Sequence, residues 1–230
     1  MAFIISGDIH CTLDIDKLVR YFEEHEGEFT SEDYLIICGD VGVCGFSSAQ
    51  EEETRRILRG FPVTTLFIDG NHEDFGQLNS YGIENWKGGK VHFIEDKIIH
   101  LMRGQVFDID GTRFFTFGGA YSVDKEYRTE GMDWFPEELP SEEEYEEGWR
   151  NLERNGFAVD YILTHTGPYE VVLEMGYADL TEDETEFRRY LQRVADHVDF
   201  KEWYFGHFHE DAEIDGTFFC LMEDVIKLQR

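Results

Sequence analysis

The chain has 230 residues, 41% hydrophobic and 15% aromatic, enough to bury a substantial core. Fifty Asp and Glu stand against 20 Lys and Arg, a formal net charge of −30, which argues against DNA, RNA and anionic membranes as partners because those are held by basic patches. No apolar run approaches a membrane span and no basic, apolar leader opens the chain. The four cysteines (Cys11, Cys38, Cys44, Cys220) show no CxxC spacing, so a protein of the reducing cytoplasm is expected.

In chain order, residues 3–6, 34–38 and 63–68 are short runs rich in Ile, Leu, Val and Phe, as buried strands are. Between the first two, Ile15, Leu18, Val19 and Phe22 recur at helical spacing over 14–24. Between the second and third, Ser48 and Glu51 are spaced as a capping box ahead of Ile57 and Leu58. This alternation predicts parallel crossovers and an α/β core. Runs at 90–94, 97–102, 105–109 and 113–117, separated by turns such as Asp110-Gly111, predict a β-meander forming a second sheet or a sheet edge. An acidic insertion follows over about 121–155. Its second half predicts a helix, with Ser141 and Glu144 at capping-box spacing and Tyr145, Trp149 and Leu152 on one stripe. A strand at 161–164 resumes the α/β pattern. Thr181 and Glu184 are spaced to cap a helix bearing Phe187, Tyr190, Leu191 and Val194. Residues 203–205 read as a further strand, and 214–228 as a closing hairpin. With no repeat and no low-complexity linker, 1–230 reads as a single domain carrying one insertion.

The strand ends carry the chemistry. The first runs into Gly7-Asp8-Ile9-His10, the second into Gly39-Asp40, the third into Gly70-Asn71-His72-Glu73, the fourth into His165, and the fifth into Gly206-His207-Phe208-His209. In extended backbone, residues two apart face the same side, so Asp8 with His10, and His207 with His209, can aim at one ion. Ligands of open α/β sheets bind beyond the carboxyl ends of strands. Each motif alone has an ordinary reading as a turn or a surface histidine. Their ordered recurrence at equivalent places does not. Of nine histidines, His25, His92, His100 and His197 lie outside these motifs and read as surface or core residues.

The ordered set GDIH, GD, GNHE, TH and GHFH resembles the calcineurin-like metallophosphoesterase family, and GDVG, DGNHE and GGAYSVDK resemble its small bacterial and phage members. The resemblance implies a four-layer αββα sandwich of two mixed β-sheets flanked by helices, with two divalent metal ions at the strand ends. It implies that Asp8, His10, Asp40 and His209 hold the first metal, that Asp40 bridges to a second completed by Asn71, His165 and His207, and that His72 protonates the leaving group. The implied reaction is phosphoester hydrolysis by attack of a metal-bound hydroxide. Carboxylate, imidazole and amide donors suit manganese, iron, zinc or nickel alike and require no thiolate.

The chain also departs from the family. Gly39-Asp40-Val41-Gly42-Val43-Cys44-Gly45 lacks the Asp-Arg-Gly that protein Ser/Thr phosphatases of the family carry, so both the usual partner of the catalytic histidine and the usual phosphate clamp are missing. Glu73 or Asp74 is a candidate to orient His72. Lys125 and Arg128, cations in the acidic insertion, are candidates to bind the phosphoester together with Asn71. A monoester or diester of small or moderate size is expected as substrate. A protein phosphatase and a non-catalytic metal-binding scaffold remain as alternatives, and the sequence leaves the oligomeric state open.

Overall fold

The computed structural model describes residues 1–178 and 181–228. Its strands are β1 (Phe3–Ser6), β2 (Tyr34–Cys38), β3 (Thr64–Ile68), β4 (Ile83–Trp86), β5 (Gly89–Glu95), β6 (Ile98–Leu101), β7 (Gln105–Ile109), β8 (Thr112–Phe117), β9 (Tyr161–Thr164), β10 (Glu202–Phe205), β11 (Ala212–Ile214), β12 (Phe218–Cys220) and β13 (Ile226–Lys227). The α-helices are α1 (Asp16–Glu24), α2 (Ser48–Gly60), α3 (Phe75–Leu78), α4 (Glu142–Arg154), α5 (Tyr169–Glu174) and α6 (Glu182–His197). Two mixed sheets form, in the orders β13-β1-β2-β3-β6-β5-β4 and β11-β12-β10-β9-β8-β7.

Side-chain alternation builds the layers. Phe3 and Ile5 of β1, Ile36 of β2 and Leu66 and Ile68 of β3 face Phe107, Phe114, Tyr161, Leu163 and Tyr204 of the other sheet in one apolar cluster. The intervening Ile4, Leu35, Ile37 and Phe67 point outward to Leu18 and Phe22 of α1 and Leu58 of α2. On the far side, Phe115, Phe117, Ile162, Trp203 and Phe205 pack against Leu152 of α4, Val171 of α5 and Phe187, Leu191 and Val194 of α6. Helices therefore cover both outer faces, as expected for the αββα class. Both faces of the central strands are buried, which is why they read as unbroken hydrophobic runs. Among the described residues no helix is long and apolar enough to cross a membrane.

The insertion helix α4 has the full capping box. Ser141 Oγ accepts from Glu144 N–H at 3.3 Å, and the Glu144 carboxylate accepts from Ser141 N–H at 2.7 Å. Its stripe faces the core as expected, Leu152 fully buried and Tyr145 half-buried, stacking on Phe117 with ring centroids 5.9 Å apart. Trp149 is sandwiched between Phe157 and the Arg193 guanidinium, the latter 3.6 Å from its ring centroid.

Three expectations need correction. The start of α2 is capped by neither Ser48 nor a capping box: Ser47 is the N-cap residue without a side-chain bond, and Glu51 instead accepts from Gly45 N–H and Phe46 N–H at 3.1 and 3.2 Å. The meander divides between the sheets, because β6 pairs in parallel with β3 while β7 and β8 open the second sheet. The tail divides too. Its hairpin is β11–β12, and β13 crosses back to lie antiparallel beside β1. Strand β4, mostly exposed, has no buried face and left no apolar pattern to read.

Candidate functional site

The carboxyl ends of β1, β2 and β3 from one sheet meet those of β9 and β10 from the other. There Asp8, His10, Asp40 and His209 each offer one ligand atom, all within 4.8 Å of one another. Asp8 Oδ1 and His10 Nε2 are buried and lack any hydrogen-bond partner. Leaving such atoms unpaired is costly, and a cation between them supplies the missing partner.

Asp40 Oδ2 stands 3.5 Å from His10 Nε2 on one side and 3.3 Å from His165 Nε2 on the other. Beyond it, Asn71 Oδ1 lies 3.2 Å from His165 Nε2 and 3.0 Å from His207 Nδ1. The structure thus brings Asp8, His10, Asp40, Asn71, His165, His207 and His209 together at the strand ends, with Asp40 between His10 and His165. Outer partners fix the rings: His10 Nδ1 lies 2.8 Å from Asp14 Oδ2, and His165 Nδ1 donates to the Cys38 carbonyl at 2.7 Å, leaving Nε2 free to bind a metal. His207 N–H donates to Asp8 Oδ2 and His72 N–H to Asp40 Oδ1, each at 2.9 Å.

The backbone is bent to make this convergence. Asp8, His10, Asp40, His207 and His209 have φ of 26°, 41°, 52°, 72° and 52°, the left-handed region that non-glycine residues rarely occupy. Two glycines admit the carboxylates: a Cβ at Gly70 would collide with Asp40 Oδ1, and one at Gly206 with Asp8 Oδ2.

Charge in the site is strongly coupled. Burial alone would lower the His165 pKa, but Asp40 and Asp8 outweigh it and carry it up to about 10; His10 rises to about 9 because Asp40 and Asp8 likewise overcome its burial. Burial raises Asp8 to about 6. Burial also pushes Asp40 upward, yet His165, His72 and His10 hold it well below the carboxylate range. The donor set of carboxylates, imidazoles and an amide fits hard to borderline divalent ions. The thiols play no such part: Cys11 Sγ contacts Thr54 Oγ1 at 2.9 Å, and burial pushes Cys44 up to about 12.

Asp40, Asn71, His72, Arg128 and His207 line a cavity of about 340 Å³ above this cluster. The Arg128 guanidinium lies along the His72 ring, Nη1 3.1 Å from Nδ1 and Nη2 3.4 Å from Nε2, and is braced by Asp124 Oδ1 at 2.8 Å. Burial and Arg128 lower the His72 pKa against the opposing pull of Asp40. Lys125 is placed differently. Its ammonium sits over the Tyr121 ring at 4.6 Å and the Trp134 ring at 5.6 Å, outside the cavity lining. Neither Glu73 nor Asp74 hydrogen-bonds His72. Glu73, buried rather than solvated, accepts from Val41 N–H at 2.8 Å and Gly70 N–H at 2.5 Å and so ties two strand-end loops together, while Asp74 caps α3 through Gln77 N–H.

Sequence reasoning passed over Arg188, buried in α6 against Glu184 and the Phe208 ring, with its side chain on the same cavity. The available signal was a charged pair at i,i+4 lying within the helix's apolar stripe. Of the surface or core positions expected for His92 and His100, the structure shows the core one. Both are buried beside a second cavity of about 660 Å³, where His100 Nε2 lies 3.0 Å from Asp69 Oδ1 and Arg103 Nε donates to Asp69 Oδ2 at 2.8 Å.

A family model described as calcineurin-like phosphoesterase matches residues 1–211. The chain belongs to the calcineurin-like phosphoesterase family. Its chemistry is thereby that of the family, metal-dependent hydrolysis of phosphoesters. Among solved structures, a protein named as a 5′-nucleotidase from Staphylococcus aureus, in complex with α-ketoglutarate, aligns over 98% of this chain and 50% of its own at 14% identity, with a TM-score of 0.54. That likeness shows the fold, and this calcineurin-like chain spans half the length of that protein. Phosphopantetheinyl hydrolase (PptH) from Mycobacterium tuberculosis aligns over 96% of this chain and 89% of its own at 14% identity, with a TM-score of 0.48. A search of curated proteins gives no significant match.

Proposed function

We propose that the protein is a dinuclear metallophosphoesterase acting on a phosphoester of small or moderate size. The observation that carries this reading is the placement of Asp40 Oδ2 between two donor groups, within 3.5 Å of His10 on one side and 3.3 Å of His165 on the other. Asp8, His10, Asp40 and His209 would hold one divalent ion, and Asp40, Asn71, His165 and His207 the other. When bound, the ions supply Lewis acidity toward the phosphoryl oxygens and an acidified water as nucleophile. The protein's own groups do the rest. Arg128, at the cavity wall, pairs with a phosphate oxygen through its fork of N–H donors. His72 stands beside it and hands a proton to the departing oxygen, a contribution typically of about 10²–10⁴-fold. The anionic phosphate offsets the depressing effect of Arg128 on that proton. The leaving group lies against the aromatic and aliphatic wall that Tyr121, Val123, Tyr177 and Phe208 add to the cavity. A cavity of about 340 Å³ suits a small organic phosphate better than a folded phosphoprotein.

The test is a Mn²⁺ titration with elemental analysis, followed by turnover of p-nitrophenyl phosphate, bis(p-nitrophenyl) phosphate, nucleotides and phosphopeptides. Two ions per chain and turnover of a small ester are expected. A single ion at saturation would overturn the dinuclear reading. Turnover of phosphopeptides alone would favour a protein phosphatase.

A further inference from the structure

Resting on the dinuclear reading, we infer that Ser122 and Glu138 are positioning residues that lock the Asn71 amide with its oxygen toward the second metal. An asparagine ligand has a weakness that a carboxylate lacks. Its two ends have similar shape, and a half-turn about the last torsion replaces a metal-binding oxygen with an NH₂ group that cannot bind. Something has to choose between the two orientations.

The choice is made by hydrogen-bond polarity. Glu138 is buried to 1% exposure; its Oε1 accepts from Ser122 N–H at 2.9 Å and its Oε2 from the Ser122 hydroxyl at 2.6 Å. A serine hydroxyl has one proton, and a carboxylate can only accept. With that proton committed to Glu138, Ser122 Oγ can only accept from its other neighbour, Asn71 Nδ2, at 3.1 Å. The amide nitrogen therefore faces Ser122, and Oδ1 faces His165 and His207. Glu138 is itself anchored. Arg103 Nη2 donates to the Glu137 and Glu138 carbonyls at 2.9 and 3.2 Å, and Arg103 is paired with Asp69, two residues before Asn71. The insertion thus returns to the strand end it started near, and the circuit closes on the ligand.

The test is isothermal titration calorimetry with Mn²⁺ alone. Wild type is expected to bind two ions. Ser122→Ala and Glu138→Gln are expected to raise the dissociation constant of the weaker site by about 10–100-fold, the usual scale for groups that orient a ligand, with the tighter site unchanged. Ser122→Thr, which keeps the hydroxyl, should bind as wild type. The deciding arm is an Asn71→Asp background: a carboxylate has two equivalent oxygens and nothing to orient, so adding Glu138→Gln should then cause no loss of affinity at the weaker site. Equal losses in both backgrounds, or an unchanged weaker site in Ser122→Ala, would overturn the inference while leaving two-ion binding intact. One ion in the wild type would remove the dinuclear reading and this relay together.

Discussion

The two cavities differ in a way their sizes conceal. The larger, about 660 Å³ beneath the insertion, has a floor where Asp69, His100 and Arg103 satisfy one another. The smaller, about 340 Å³, lies over a cluster in which Asp8 Oδ1 and His10 Nε2 have no hydrogen-bond partner. A satisfied buried network holds structure together; an unsatisfied one reserves its lone pairs for something else. Substitutions around the smaller cavity should therefore cost chemistry, and those around the larger should cost stability.

The largest effect is expected at Asp40. Asp40→Asn should take bound metal below one ion per chain and cut turnover by on the order of 10³-fold, since several kcal/mol of transition-state charge stabilisation depend on the ions it holds. Elemental analysis with p-nitrophenyl phosphate kinetics measures both. Full metal content in this variant would break the comparison at its centre.

His72→Asn should separate binding from chemistry. Metal content should stay at the wild-type level while kcat on an alkyl phosphate falls by about 10²–10⁴-fold, with only a mild loss on p-nitrophenyl phosphate, whose phenolate needs no proton. Equal losses on the two esters would count against proton donation.

Arg128 and Lys125 sharpen the boundary of the smaller cavity. Arg128→Ala should raise KM about tenfold, the scale of one charge-assisted hydrogen bond. Lys125→Ala, with its ammonium over Tyr121 and Trp134, should change KM little. Steady-state kinetics with both variants would expose a reversed assignment.

The smallest effect belongs to the larger cavity. Burial, then His100, lower the His92 pKa to about 4 from an ordinary 6.5. Between those values the unfolded chain binds one more proton than the native state, so stability is complete above pH 6.5 and declines as pH falls toward 4. Urea melts across that window should show His92→Gln with a shallower decline, by on the order of 1–2 kcal/mol at the acid end. A slope unchanged by the substitution would remove His92 as the cause.

Much of this was legible in the sequence because buried strands and their ends are local. The apolar runs marked β1, β2, β3, β9 and β10, and the Asp, Asn and His beyond them needed only strand polarity to converge. What escaped was set by contacts distant in sequence. Ser122 faces Asn71 and Arg188 faces Phe208 only once the insertion and α6 have docked. Glu51 and Glu73 sat at positions suited to a cap and a loop acid, but backbone N–H groups of neighbouring loops claimed them. Lys125 and Arg128, three residues apart and alike in charge, ended on different sides of a short helical turn, a distinction no charge pattern carries.

The ligand donors run from Asp8 to His209, and the strand that starts the series, β1, gains its second neighbour only from β13 at residues 226–227. During synthesis the first donors emerge long before the last, and β1 waits as an open edge until residues 226–227 arrive. Contacts so widely separated form late and slowly. An ion therefore has no complete cradle to enter until His209 has been made and folded into place.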